Sequence, residues 1–186
     1  MKANTMVDLL EPFKRLKYEW PKFHLIGVRS GLDIPNEFDD LFYLIDGVNI
    51  HHLTGTTNPG RAWLKNPGRL AGTAVLRPGQ YLNTWQLGLH RGMYKAWVQV
   101  KPVTVYRDNN LDDKSDETFV QQKGLFGINI HRAAEGWVSK FVDKWSAGCQ
   151  VLNNPAEYRS FIKASEASGQ QFFTYTLLKE SQVNEA

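Results

Sequence analysis

The single cysteine of the chain, Cys149, ends the run Ser146-Ala147-Gly148-Cys149, and His131 stands eighteen residues before it, at the end of Gly127-Ile128-Asn129-Ile130. A thiol attacks well only as a thiolate, and an imidazole is the usual base that makes it one. Glycine beside the thiol lets the backbone come close to a bound carbonyl and aim N–H groups at an oxyanion. The alternative for a lone cysteine is a small buried hydrophobe.

The elements around this pair are those of a β protein with a helix near each end. Thr5 and Asp8 mark a helix start, and Met6, Leu9, Leu10, Phe13 and Leu16 recur at helical spacing. Pro21 ends that segment. Short apolar runs then alternate with turn signals: Phe23–Val28, Leu41–Ile45, Ala74–Leu76, Thr84–Leu89 and Ala96–Tyr106. Arg91-Gly92 is one such turn, and Pro102 breaks the last run. A polar stretch, residues 108–123, precedes an expected strand Leu125–Ile130 that would deliver His131. A short run near Val138–Val142 and a strand Cys149–Leu152 follow. Asn154-Pro155 opens a closing helix that Gly169 ends, Phe172–Leu178 reads as a last strand, and Ser181–Ala186 as a frayed tail. The expectation is one mainly-β domain, 1–186, with an N-terminal helix over 1–20, a catalytic core over 70–153 and a closing helix and strand over 154–178.

Phe126-Gly127-Ile128-Asn129-Ile130-His131, fourteen residues, then Ser146-Ala147-Gly148-Cys149 resembles the signature of the L,D-transpeptidase catalytic domain. The resemblance is close over about 25 residues and general over 70–153. It implies a β-sandwich or barrel of that family, acting on the stem peptides of bacterial peptidoglycan through a cysteine thioester. Carried over, Cys149 is the nucleophile and His131 its base, with the Arg132 carbonyl orienting the imidazole. The amides of Gly148 and Cys149 form part of the oxyanion hole, and Ser146 supports the loop. The chain departs from the family's pattern at Arg132, where glycine is common, at Ala147, where histidine often stands, and at Gln150-Val151 after the cysteine. Further phrases, including His51-His52-Leu53-Thr54 and Trp145-Ser146-Ala147-Gly148-Cys149, resemble single-domain lysins encoded by bacteriophages. That branch implies water as acceptor, hence a hydrolase; a true transpeptidase with an amine acceptor and a non-catalytic wall-binding or virion module are the alternatives.

Substrate contacts are expected from Arg107 and Arg132, since arginine pairs with carboxylates in bidentate fashion. Trp137 and Trp145, which bracket the His-to-Cys connection, and Gln150 complete the set. One cysteine excludes a disulfide framework and thiolate zinc sites. No cofactor or metal is expected: a zinc site from His52, His90 and His131 lacks close His pairs. Asp108-Asn109-Asn110-Leu111-Asp112 lacks the glycine of a calcium loop and reads as a solvated acidic loop. A net charge of +3 is too small for a nucleic-acid signature. No apolar run is long enough for a signal peptide or a membrane span. The expected life of the protein is synthesis in the cytoplasm and action, as a monomer, at the cell wall.

Overall fold

The computed structural model describes residues 5–32, 34–118 and 120–184. The Thr5 hydroxyl accepts the Asp8 N–H and the Asp8 carboxylate accepts the Thr5 N–H, so helix α1 (Met6–Leu16) starts with a reciprocal capping box. Its apolar face turns Leu9 and Phe13 onto strand β1 (Phe23–Arg29) and strand β2 (Asp40–Asp46), against Ile26, Val28, Tyr43 and Ile45. β1 is therefore buried on both faces, which explains its nearly unbroken apolar run.

The chain continues through β3 (Asn49–Thr56), a short helix α2 (Arg61–Lys65), β4 (Thr73–Leu76), β5 (Gly79–His90), β6 (Tyr94–Gln99), β7 (Val103–Asp108), β8 (Gln121–Gly124), β9 (Ile130–Arg132) and β10 (Gln150–Leu152). Helix α3 (Pro155–Ala167), β11 (Phe172–Lys179) and α4 (Glu180–Asn184) complete it. Strand accounts for 39% and helix for 19%, so the fold is mainly β. Eight strands close into a barrel in the order β1-β11-β5-β6-β9-β10-β3-β2, and β4-β7-β8 form a separate three-stranded sheet. The Pro102 break is where the chain leaves the barrel after β6 to enter that second sheet. Inside the barrel lie Leu25, Phe42, Trp85, Trp97, Phe173 and Tyr175, covered by Tyr158 and Phe161 of α3. Among the described residues no helix is long and apolar enough to cross a membrane.

Four expectations shift. The apolar run Leu125–Ile130 is not a strand until its last residue. The Gln99 side-chain amide accepts the N–H groups of Phe126 and Ile128, taking the place of a neighbouring strand, and Gly127 turns the chain at φ +72°. The strand before it, β8, is the polar Gln121-Gln122-Lys123-Gly124, a sheet edge that pairs with β7 through its backbone ladder and needs no apolar alternation. Val138–Val142 contributes one isolated bridge, Glu37 to Phe141, and no strand. The expected tail is helical as far as Asn184, with Val183 buried; its last two residues lie outside the described set.

His24 sits under α1 between Phe13 and Trp20, fully buried, its Nδ1 bonded to the Pro21 carbonyl at 2.6 Å. Burial lowers its pKa to about 4. The unfolded chain therefore takes up this proton first as the pH falls. The contribution to stability is complete above the ordinary value near 6.5 and is lost towards 4. His24→Phe should flatten the fall in stability across that window by up to about 3 kcal/mol, read by urea unfolding at pH 7 and at pH about 4.5.

Candidate active site

β9 and β10 pair in parallel, Gln150 opposite Ile130 and Val151 opposite His131. Because side chains alternate along strands, partners in a parallel pair share a face. Ile130, Gln150 and Leu152 point into the barrel; His131 and Val151 point outward. Cys149, one step before β10 and level with Asn129, falls on the same outer face as His131. The register thus puts the two residues singled out in the sequence on one face.

The imidazole is fixed. His131 Nδ1 lies 2.8 Å from the Arg132 carbonyl, which can only accept, so Nδ1 carries the proton and Nε2 presents a lone pair. Nε2 is buried and, among the described residues, has no hydrogen-bond partner. The Tyr94 hydroxyl donates to the same carbonyl and also lies 3.2 Å from Nδ1. Burial first, then neighbouring His90, pushes the His131 pKa down to about 3. The thiol is half-buried. It donates to the Gly127 carbonyl at 3.4 Å and faces the Asn129 N–H at 3.5 Å. Burial raises its pKa to about 11. Thiol and imidazole therefore rest as a neutral pair, each charged form being poorly solvated here.

The loop before Cys149 is held on two sides. Ser146, fully buried, donates from Oγ to the Cys149 carbonyl at 2.8 Å and accepts the Gly148 N–H at 3.2 Å. Its own carbonyl takes the Gly60 N–H at 2.9 Å. Asn36 accepts the N–H groups of both Arg61 and Asp143, and Trp63 donates to the Lys144 carbonyl. The segment around α2 is thus a clamp on the loop that carries Cys149. Gly148 adopts φ +119°, and a Cβ there would stand 2.3 Å from the Ala74 carbonyl oxygen.

Several expected roles change in detail. Gly148 spends its amide on Ser146, so it is not an oxyanion donor; among the described residues the Cys149 amide has no hydrogen-bond partner and is the donor left available. Gln150 is fully buried, and cannot touch a substrate outside the barrel. Its Oε1 accepts from the Tyr175 hydroxyl at 2.7 Å and its Nε2 donates to the Gly148 carbonyl at 3.3 Å, so it braces the loop from within. The Arg132 guanidinium pairs with Glu135 at 3.1 Å and stacks on Tyr94, leaving its carbonyl as its part in the site. Trp137 and Trp145 stand exposed on the connection between the two strands. Arg107 is buried next to Phe126 and lines a cavity against Ala147.

His90, named above only for a zinc site, packs against the imidazole of His131. The Arg91-Gly92 hairpin, with both residues at positive φ, brings β5 back as β6 and leaves His90 paired with Tyr94 at its base. There the His90 ring stacks on His131, centroids 4.0 Å apart. Asn129 fixes its tautomer: Oδ1 accepts the Gln99 N–H, so Nδ2 donates to His90 Nδ1 at 3.1 Å. The signal available in the sequence was the hairpin itself. His52 lies apart, against Tyr43, and among the described residues no three metal-ligating groups converge. In the acidic loop Asn110 donates to both Asp112 and Asp116, closing it on itself.

No protein-family model matches the chain, and no curated protein or solved structure matches it significantly.

Two outcomes follow from this geometry. Alkylation of Cys149 by iodoacetamide should be slow at pH 7 and should rise about tenfold per pH unit towards pH 11; a rate that levels off near neutrality would mean a preformed thiolate. Gly148→Ala should lower stability by about 2–4 kcal/mol and displace the thiol, checked by denaturant unfolding and by the alkylation rate.

Proposed function

We propose that this protein is a peptidoglycan-active cysteine enzyme that cleaves an amide bond in stem peptides or their cross-links through a Cys149 thioester, on an L,D-transpeptidase-like fold. The observation that carries the reading is the lone pair of His131 Nε2, held by the Arg132 carbonyl on the face that also presents Cys149. The family resemblance names the substrate class.

The thiol gives up its bond to the Gly127 carbonyl and passes its proton to Nε2 as sulfur attacks the amide carbonyl. The C–S bond forms, the carbonyl oxygen becomes the oxyanion, and the Cys149 amide donates to it. When the C–N bond breaks, His131 returns the proton to the departing amine. Water, deprotonated by the same Nε2, then attacks the thioester; the acid product leaves and the thiol is restored. Since thiol and imidazole start neutral, proton transfer accompanies attack instead of preceding it. An enzyme of this kind, made in the cytoplasm, would meet its substrate at the cell wall once the membrane is breached, as the lysin resemblance implies.

Incubation with purified muropeptides, read by mass, separates the reactions. Loss of a terminal residue or scission of a cross-link with addition of water marks a hydrolase; exchange for an added D-amino acid marks a transpeptidase. Cys149→Ala should abolish the change, and His131→Gln should slow it about 100-fold or more. An intact protein that leaves every muropeptide unaltered, across several wall chemotypes, would overturn the enzyme reading in favour of a wall-binding or structural module.

A further inference from the structure

Beside the nucleophile loop lies a cavity of about 210 Å³, lined among others by Trp63, Arg69, Thr73, Arg107, Phe126 and Ala147. It adjoins the thiol through two of its walls. Ala147 is two residues before Cys149, and Phe126 precedes the Gly127 whose carbonyl holds the sulfur. Gly148 packs on the carbonyl of Ala74, another residue of the wall.

The charge in this wall is unusual. Arg107 is only 5% exposed, yet no carboxylate pairs with it or with Arg69 among the described residues. Its Nε donates to Gln122 at 2.9 Å and its Nη1 to the Gly72 carbonyl at 3.3 Å, while the guanidinium lies 4.8 Å from the centre of the Phe126 ring. These contacts fix the plane of the fork and leave Nη2 without a partner among the described residues. A buried cation is costly unless an anion or several hydrogen bonds compensate it, and a second cation alongside raises the cost. Burial and the Arg69 charge both work against ionisation of Arg107. The remaining walls are small or aromatic, and the volume admits about seven waters, the scale of one amino-acid residue.

We propose that this cavity is a carboxylate-recognition subsite, in which Arg107 and Arg69 take a free carboxylate of the acyl donor while Phe126 and Trp63 flank the residue that carries it. The identity of that ligand as part of the substrate rests on the cysteine-enzyme reading above; the anion site itself rests on the cavity. Such a subsite selects donors with an unamidated carboxylate near the scissile bond, and it orients them from the Ala147 side of the loop.

The test is equilibrium binding to the Cys149→Ala protein, which removes turnover from the measurement. N-acetyl-D-alanine, its carboxamide and inorganic phosphate are titrated separately and followed by calorimetry or by amide NMR shifts at Ala147 and Phe126. The carboxylate should bind at least tenfold more tightly than the carboxamide and than phosphate. Arg69→Gln, at an exposed position, should remove most of that preference, and Arg107→Lys, which keeps the charge but not the fork, should weaken it. Equal binding of acid and amide, phosphate binding as tight as the acid, or an Arg69→Gln protein with the preference intact overturns the proposal. Carboxylate binding in a protein that leaves all muropeptides unaltered would uphold the subsite and refute the enzyme; turnover without carboxylate preference would do the reverse.

Discussion

The parallel pairing of β9 with β10 is the constraint on which the rest of the site depends. Each strand is three residues long, and the register between them alone decides that Cys149 and His131 share a face. A shift of one residue would turn one of them into the barrel. Parallel strands cannot be joined by a tight turn, so a long connection over residues 133–149 has to leave the sheet and return. That connection has no regular structure of its own. It is kept in place by Asn36, Gly60 and Trp63, which explains why polar and glycine residues far from the thiol in sequence are spent on buried hydrogen bonds beside it.

The electrostatics of the pair follow from the same burial. With His90 stacked on one ring face and the Arg132 carbonyl on Nδ1, His131 has no room to be solvated as a cation. The thiol is likewise poorly placed to be an anion. A neutral resting pair protects the one cysteine from adventitious oxidation, because oxidants and alkylators act on thiolates. In the proposed enzyme, reactivity would then depend on a bound carbonyl completing the site, which would couple chemistry to substrate.

What the sequence made legible was local. The Thr5 capping box, the Asn154 helix start and the Arg91-Gly92 hairpin each carry their cause within a few neighbouring residues. What it hid depends on partners distant in the chain. Gln99 replaces a strand for residues 126–128, so an apolar run that reads as β is not. Gln150 looks like a loop residue near a nucleophile, but the closed barrel turns it inward. His90 meets His131 only because β6 pairs with β9, a contact of a single residue pair, Trp97 with Ile130. Polar β8 pairs through its backbone and leaves no alternation to detect.

Tyr175 crosses the barrel interior to reach Gln150, and it can do so only over Gly27, where a Cβ would sit 2.0 Å from its hydroxyl oxygen. The loop that carries Cys149 is thereby tied, through Gln150 and the Gly148 carbonyl, to the opposite wall. The tie works as a gauge of the barrel's girth. A widening of the barrel would lengthen this tie, and the loop that carries Cys149 is where the strain would be taken up.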